Sequence, residues 1–347
     1  MRIWVHRIMA MILMVSLLTT SGPVFASQTT ETAAQLPTEA TTGPAETEPA
    51  ATEPEAHTYT VDTESAMYQV CDAVADGMNF DQLLVYDATN DEILYTNSRE
   101  GSKLYPASVT KLFSAYVALQ YLDPEEIITA GDEMDLVHPG SSVAYISKGD
   151  QLYVKSVVEG MMLPSGNDAA IMLAAAAGRR IAEDEELEPE EAIQTFVREM
   201  NRKARELGFE RTHFSNPDGW HSGSHYTCLN DMARIAKLAL ENKIISRYIR
   251  LFEDKVYFPS GQLATWENTN ELLNPEERFY RSDAIGMKTG YTRQAEYCLM
   301  SAFRCSDGRI LVIGVFGYAD KDLRFEEASR LATVCKEQLK LDAKNKK

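Results

Sequence analysis

The chain lacks the residues on which several kinds of chemistry depend. Its 347 residues include only five cysteines, Cys71, Cys228, Cys298, Cys305 and Cys335. No spacing among them suits a zinc site, and there is no His-Glu-x-x-His run, so no zinc centre is expected. Cys298 and Cys305 fall on one strand and its turn. Seven residues of extended chain span roughly 23 Å, which excludes a bridge between them without a reversal. Each cysteine reads as a small buried hydrophobe. Cations are scarce: 34 Lys and Arg stand against 52 Asp and Glu, a net charge of −18. That balance argues against nucleic acid or an anionic membrane surface as the main partner. Its simplest use is to keep an exported protein soluble. The apolar run near the N-terminus, Ile8 to Leu18, is short for a membrane-spanning helix.

That run has the setting of a leader. Arg2 and Arg7 flank its start, and Ser21-Gly22-Pro23-Val24-Phe25-Ala26 follows it, so residues 1–26 read as a signal peptide cut after Ala26. No cysteine follows the run, so no lipidated N-terminus is expected. Ser27 to His57 is dominated by Thr, Glu, Pro and Ala, without one Lys, Arg, Phe, Tyr or Trp. Such a stretch cannot bury enough apolar surface to offset its chain entropy, so 27–58 is expected to be a disordered acidic linker. Losing Arg2 and Arg7 lowers the net charge by two, to −20. Setting aside the linker's six glutamates leaves about −14 on the remainder. Residues 59–342 are expected to form the folded domain. The remaining 343–347 are expected to be a basic tail, and neither a β-rich C-terminal domain nor a C-terminal membrane anchor is expected.

Within the domain, Leu83-Leu84-Val85-Tyr86 and Ile93-Leu94-Tyr95 read as adjacent strands around a polar turn. Helices are predicted over Ser108–Leu122, Lys155–Met162, Asp168–Gly178, Glu190–Leu207 and Leu229–Glu241. Strands return at Tyr297–Phe303 and Arg309–Phe316, around the turn Ser306-Asp307-Gly308. A last helix carries Phe325, Ala328, Leu331, Cys335 and Leu339 at helical spacing. Strands at both ends with helices between them predict an α+β fold: one sheet closed by distant segments, with an inserted helical lobe.

Three short motifs carry chemistry. Ser108-Val109-Thr110-Lys111 sets a hydroxyl and an amine three residues apart, where helical neighbours meet. A desolvated lysine there can take the proton that a serine must lose to become a nucleophile. Ser165-Gly166-Asn167 follows Pro164 in a turn between two helices. Its hydroxyl could relay a proton and its amide could hold a peptide group. On this motif alone, an N-cap for the next helix is the simpler reading. Lys288-Thr289-Gly290 sits at the entrance to the late hairpin. Lysine and threonine on an edge strand can bind a carboxylate, and glycine allows close backbone approach. A solvent-facing lysine is the ordinary reading of such a triplet.

Taken together, in this order and widely separated, the three motifs form a specific set. The sequence resembles the serine D-Ala-D-Ala carboxypeptidases, the low-molecular-weight penicillin-binding proteins. The likeness extends to Leu163–Ala170, Asn216-Pro217-Asp218-Gly219-Trp220 with His225-Tyr226-Thr227, and Gly286-Met287 through Thr292 into Cys298-Leu299. It implies a β-lactamase/transpeptidase-like fold, an antiparallel sheet flanked by helices with an all-helical lobe. It also implies removal of the terminal D-Ala from peptidoglycan stem peptides, with β-lactams as inhibitors and no cofactor or metal. Ser108 would be the nucleophile, Lys111 the base and Ser165 a proton relay. Asn167, Lys288, Thr289 and Gly290 would bind substrate, and the N–H groups of Ser108 and Tyr291 would form the oxyanion hole. The two lysines would lower the pKa of Lys111 by burial and by like-charge repulsion. The implied location is outside the cytoplasm, secreted or on the cell wall. The rival readings are a class A-like β-lactamase and a non-catalytic wall- or β-lactam-binding protein. A β-lactamase needs a Glu-x-x-Leu-Asn loop, which the acidic stretch Glu183–Glu191 lacks, reading instead as a helix start. One departure from the family is Ala295-Glu296, where Ala-Gly is usual.

Overall fold

Strands from the two ends of the folded region close into one sheet, and the helices between them build the lobe that faces it. The structure is a computed structural model and describes residues 59–345 apart from 79, 99–101 and 210. The expected signal peptide and acidic linker lie outside the described residues, as do Lys346 and Lys347 of the tail.

In chain order the elements are α1 (Ala66–Ala75), β1 (Gln82–Asp87), β2 (Glu92–Thr96), α2 (Lys111–Ala118), β3 (Ile127–Thr129) and β4 (Gln151–Tyr153). The helical lobe follows with α3 (Val154–Met162), α4 (Asn167–Ala182), α5 (Pro189–Glu206), α6 (Leu229–Glu241) and α7 (Lys243–Tyr248). Then come β5 (Glu253–Tyr257), β6 (Leu263–Glu267), β7 (Ala284–Thr292), β8 (Glu296–Arg304), β9 (Ile310–Tyr318) and α8 (Leu323–Asn345). The main sheet has the order β2-β1-β9-β8-β7 with every pair antiparallel, and β3-β4 and β5-β6 form two small ribbons. The central strands β1 and β9 are buried along nearly their whole length, which explains their continuous apolar runs. One core lies between the sheet and the helical lobe. A second lies behind the sheet, where Phe325, Ala328, Leu331, Cys335 and Leu339 of α8 pack with Leu83, Val85, Ile313 and Val315. The α+β architecture expected from the sequence is the one observed.

Several local expectations change. The predicted helix Ser108–Leu122 is a 3₁₀ turn over Ala107–Thr110 that continues as α2. Ala107 takes a left-handed backbone, φ +48°, so the chain enters this segment through a kink that a regular α-helix would not tolerate. The acidic stretch is not one helix start. Glu183 closes α4 in a left-handed conformation, a loop follows, and α5 begins only at Pro189 with Glu190 and Glu191 in its first turn. The last helix runs on through Asn345, so Ala343, Lys344 and Asn345 extend it rather than forming a separate tail. The helices α1 and α7 and the two ribbons were not among the expected elements; α7 and the ribbon strands are six residues or fewer, too short to show a period. All five cysteines are buried free thiols, with Cys71 and Cys335 sulfurs 3.4 Å apart between α1 and α8.

Candidate active site

Ser108 sits in the 3₁₀ turn, where side chains at i and i+3 nearly eclipse each other. The turn thereby delivers Lys111 to the serine more directly than an α-helix would: Lys111 Nζ lies 2.9 Å from Ser108 Oγ. The lysine also reaches Asn167 Oδ1 at 2.7 Å and the Asp218 carbonyl at 2.7 Å. Three acceptors match the three protons of an ammonium and hold the nitrogen in one place. Lys111 is fully buried, and burial pulls its pKa down to about 8, while Asp218 and Asp168 act in the opposite direction. Like-charge repulsion, expected at Lys111, falls instead on Lys288. Burial first, then Lys111 and Arg324, push the Lys288 pKa well below the ordinary lysine value.

The second motif is not a cap. Gly166 is the N-cap of α4 and makes no side-chain bond, while Ser165 is 5% exposed and held at φ +64° on the cleft wall. A non-glycine residue in that region costs on the order of 1 kcal/mol or more, a strain that clusters at functional sites. The start of α4 is fixed from outside. Asp168 accepts the N–H groups of Ala144 at 2.8 Å and Ile146 at 2.9 Å, and Asn167 N–H donates to the Ser142 carbonyl at 2.8 Å. Asn167 is thus anchored by its backbone and free to spend its side-chain oxygen on Lys111.

The third motif lies on β7, which is the edge of the main sheet, as expected. Its lysine, however, is wholly buried, because the nucleophile turn packs over that edge. Lys288 Nζ donates to the Thr289 carbonyl at 3.1 Å, and Thr289 Oγ1 lies 2.5 Å from Thr269 Oγ1. Gly290 serves a close approach within the protein. A Cβ there would sit 3.0 Å from the Pro106 carbonyl and 3.1 Å from the Ser108 nitrogen. Tyr291 follows directly, 55% exposed at the mouth of the cleft. Gly219 presses on the same turn from the other side, at φ +85°, where a Cβ would fall 1.9 Å from the Ala107 carbonyl.

These elements enclose a cleft of about 730 Å³, lined by Ser108, Ser165, Asn167, Thr289, Gly290 and Tyr291 among others. All the predicted site residues reach it or, like Lys111 and Lys288, lie directly beneath it through Ser108, Asn167 and Thr289. Residues 183–191 do not line it. Three participants were not singled out as site groups from the sequence: the Asp218 carbonyl, Thr269 and Arg324. Arg324, in the first turn of α8, is 4% exposed and donates to the Gly290 and Cys298 carbonyls at 3.3 and 3.2 Å. Its Nε has no hydrogen-bond partner among the described residues, and burial pulls its pKa down to about 10. Lys288 and Arg324 hydrogen-bond, among the described residues, only to carbonyl oxygens, so the basic groups under this side of the cleft lack a paired carboxylate. Such a setting favours an anion. Among the described residues no group of three or more His, Cys, Asp or Glu could hold a metal.

A profile of the D-alanyl-D-alanine carboxypeptidase family, peptidase S11, matches residues 71–318. The chain is 30% identical over 243 residues to the D-alanyl-D-alanine carboxypeptidase DacF of Bacillus subtilis, covering 69% of this chain and 58% of that protein. It is 31% identical over 230 residues to the D-alanyl-D-alanine carboxypeptidase of Streptomyces sp. strain K15, covering 64% of this chain and 74% of the relative. The crystal structure of the Streptomyces K15 DD-transpeptidase superposes with a TM-score of 0.64 at 27% identity, over 73% of this chain and 95% of that one. With the three motifs converging on one cleft, these matches identify the chain as a member of the D-alanyl-D-alanine carboxypeptidase family, peptidase S11.

Proposed function

We propose that this protein removes the terminal D-Ala from peptidoglycan stem peptides through an acyl-enzyme on Ser108, and that β-lactams acylate the same serine. The observation that carries the reading is the buried Lys111 amine, 2.9 Å from Ser108 Oγ with its pKa brought down to about 8. A lysine poised there can take up the serine proton near neutral pH, which an ordinary surface lysine cannot do.

The steps follow from the groups present. Ser108 Oγ attacks the carbonyl carbon of the penultimate D-Ala, and its proton passes to Lys111. The N–H groups of Ser108 and Tyr291 stabilise the oxyanion, which develops only in the transition state. As the peptide C–N bond breaks, the proton passes by way of Ser165 to the departing D-Ala amine. Water then cleaves the ester, returning Ser108. Lys288 and Thr289, with Arg324 beneath them, hold the terminal carboxylate, and Asn167 holds the substrate amide. The lack of a carboxylate beside Lys288 and Arg324 supports this assignment, since a free C-terminus would supply the anion that favours the charged form of both. A β-lactam takes the same path and stalls because its leaving group remains tethered. We place the reaction outside the cytoplasm, following the leader-like sequence of residues 1–26.

A second reading is favoured by the likeness to the Streptomyces K15 DD-transpeptidase: an amine acceptor could replace water at the acyl-enzyme. Both are tested together. A stem-peptide mimic ending in D-Ala-D-Ala should release D-Ala, and added glycine as acceptor should yield a transfer product only under the second reading. Intact mass after penicillin treatment should rise by one β-lactam, and Ser108→Ala should show no adduct. An unmodified wild-type protein would sink the proposal.

A further inference from the structure

We propose that His225 is a positioning residue for Lys111: as a neutral imidazole it ties the 213–227 strap to the nucleophile turn and so fixes the Asp218 carbonyl against the lysine. The inference rests on reading Lys111 as the base.

The strap lies between α5 and α6 and is bridged to itself at His213–Tyr226 and to Leu104 at Thr227. His225 is 2% exposed, with its ring edge-on to Phe214. Its Nδ1 accepts the Ser215 N–H at 3.2 Å, so that nitrogen carries no proton and Nε2 does. Nε2–H then donates to Thr110 Oγ1 at 2.8 Å. Protonating Nδ1 would set one N–H against another, so the geometry excludes the imidazolium. Burial acts in the same sense, with His213, His221 and Lys111 adding to it, and brings the His225 pKa down to about 3.

The consequence lies in where these contacts fall along the chain. Thr110 immediately precedes Lys111, and Ser114, one turn on, donates to the Pro217 carbonyl at 2.6 Å. The strap is stitched to the 3₁₀ turn before the lysine and to α2 after it, and the Asp218 carbonyl reaches Lys111 between the stitches. The titratable and charged groups around the pair are Lys111, Lys288, Asp168, Asp218, His213 and His221. None of them bonds to the imidazole, whose partners are a backbone amide and a hydroxyl. Releasing the His225 stitch lets water reach Lys111. Burial is the largest cause of that lysine's low pKa, so its relief outweighs loss of the carbonyl contact and the pKa rises.

The test is the rate constant of penicillin acylation against pH, with melting temperature, for wild type, His225→Phe, His225→Gln and Thr110→Val. We expect His225→Phe to move the acid limb upward by about half a unit or more, a threefold or larger loss near pH 7. Thr110→Val should move it in the same direction. His225→Gln, whose amide N–H can still donate to Thr110, should restore most of the wild-type limb. An unmoved limb in Thr110→Val and in whichever His225 variants fold overturns the inference, whatever happens to the melting temperature. A wild type that penicillin does not acylate would instead overturn the reading of Lys111 as the base.

Discussion

Lys111 meets two demands that pull against each other, since it must be buried to lose its proton and yet be held by acceptors that suit its charge. Burial wins, leaving a pKa of about 8. Acylation should therefore fall about tenfold per pH unit below that value, and Lys111→Ala should abolish it with the fold intact, as circular dichroism would check. Glu159 in α3 shows the reverse case in the core: burial, with Asp254 beside it, pushes its pKa up to about 8 from 4.5. The folded chain keeps a proton that the unfolded chain loses, so stability declines as pH rises from about 4.5 through about 8. Glu159→Gln should raise the melting temperature near pH 9 by at least about 2 °C, roughly 1 kcal/mol, with no gain near pH 5. Gly290→Ala should slow acylation, because its methyl must push on the Pro106 carbonyl and the Ser108 nitrogen. That Ser108, Lys111, Asn167, Lys288 and Thr289 meet at one cleft was legible because each belongs to a short run of side chains capable of chemistry. The Asp218 carbonyl was not, being a backbone group 107 residues from the lysine it holds.

At the level of elements, the site depends on distortions that propensity does not reveal. The 3₁₀ turn at Ala107–Thr110 follows from the backbone kink at Ala107, which is held from two sides by Gly219 and Gly290. The entry to α4 depends on Asp168, whose carboxylate gathers two amides of the 144–146 segment. Asp168→Ala should cost about 2–4 kcal/mol, measured by denaturant unfolding, since it leaves those amides without their charged acceptor. It should also lower the acid limb of acylation, because Asp168 is one of the two charges that raise the Lys111 pKa. The long helices were legible from their apolar periodicity: Leu229–Glu241 matches the predicted bounds, and α3, α4 and α5 begin within one residue of theirs. The β3-β4 and β5-β6 ribbons were not, since strands of three to five residues present too few side chains to show a period.

Across the whole molecule the sheet separates two jobs: one face and its β7 edge serve the cleft, and the other face packs on α1 and α8. Leu331→Ala in α8 should therefore destabilise by about 2–5 kcal/mol while the folded protein is acylated at the wild-type rate. A fall in acylation beyond the unfolded fraction would show that the two faces are coupled. The amino-acid sequence by itself determined the helical lobe, the late hairpin and the three motifs, because these depend on neighbours a few residues apart. Only the tertiary structure decided that Lys288 is buried rather than solvent-facing, that Ser165 is no cap, and that Arg324 and the Asp218 carbonyl belong to the site. Those properties arise from segments distant in the chain pressing on one turn, and burial and hydrogen bonding at Ser108 exist only once they meet.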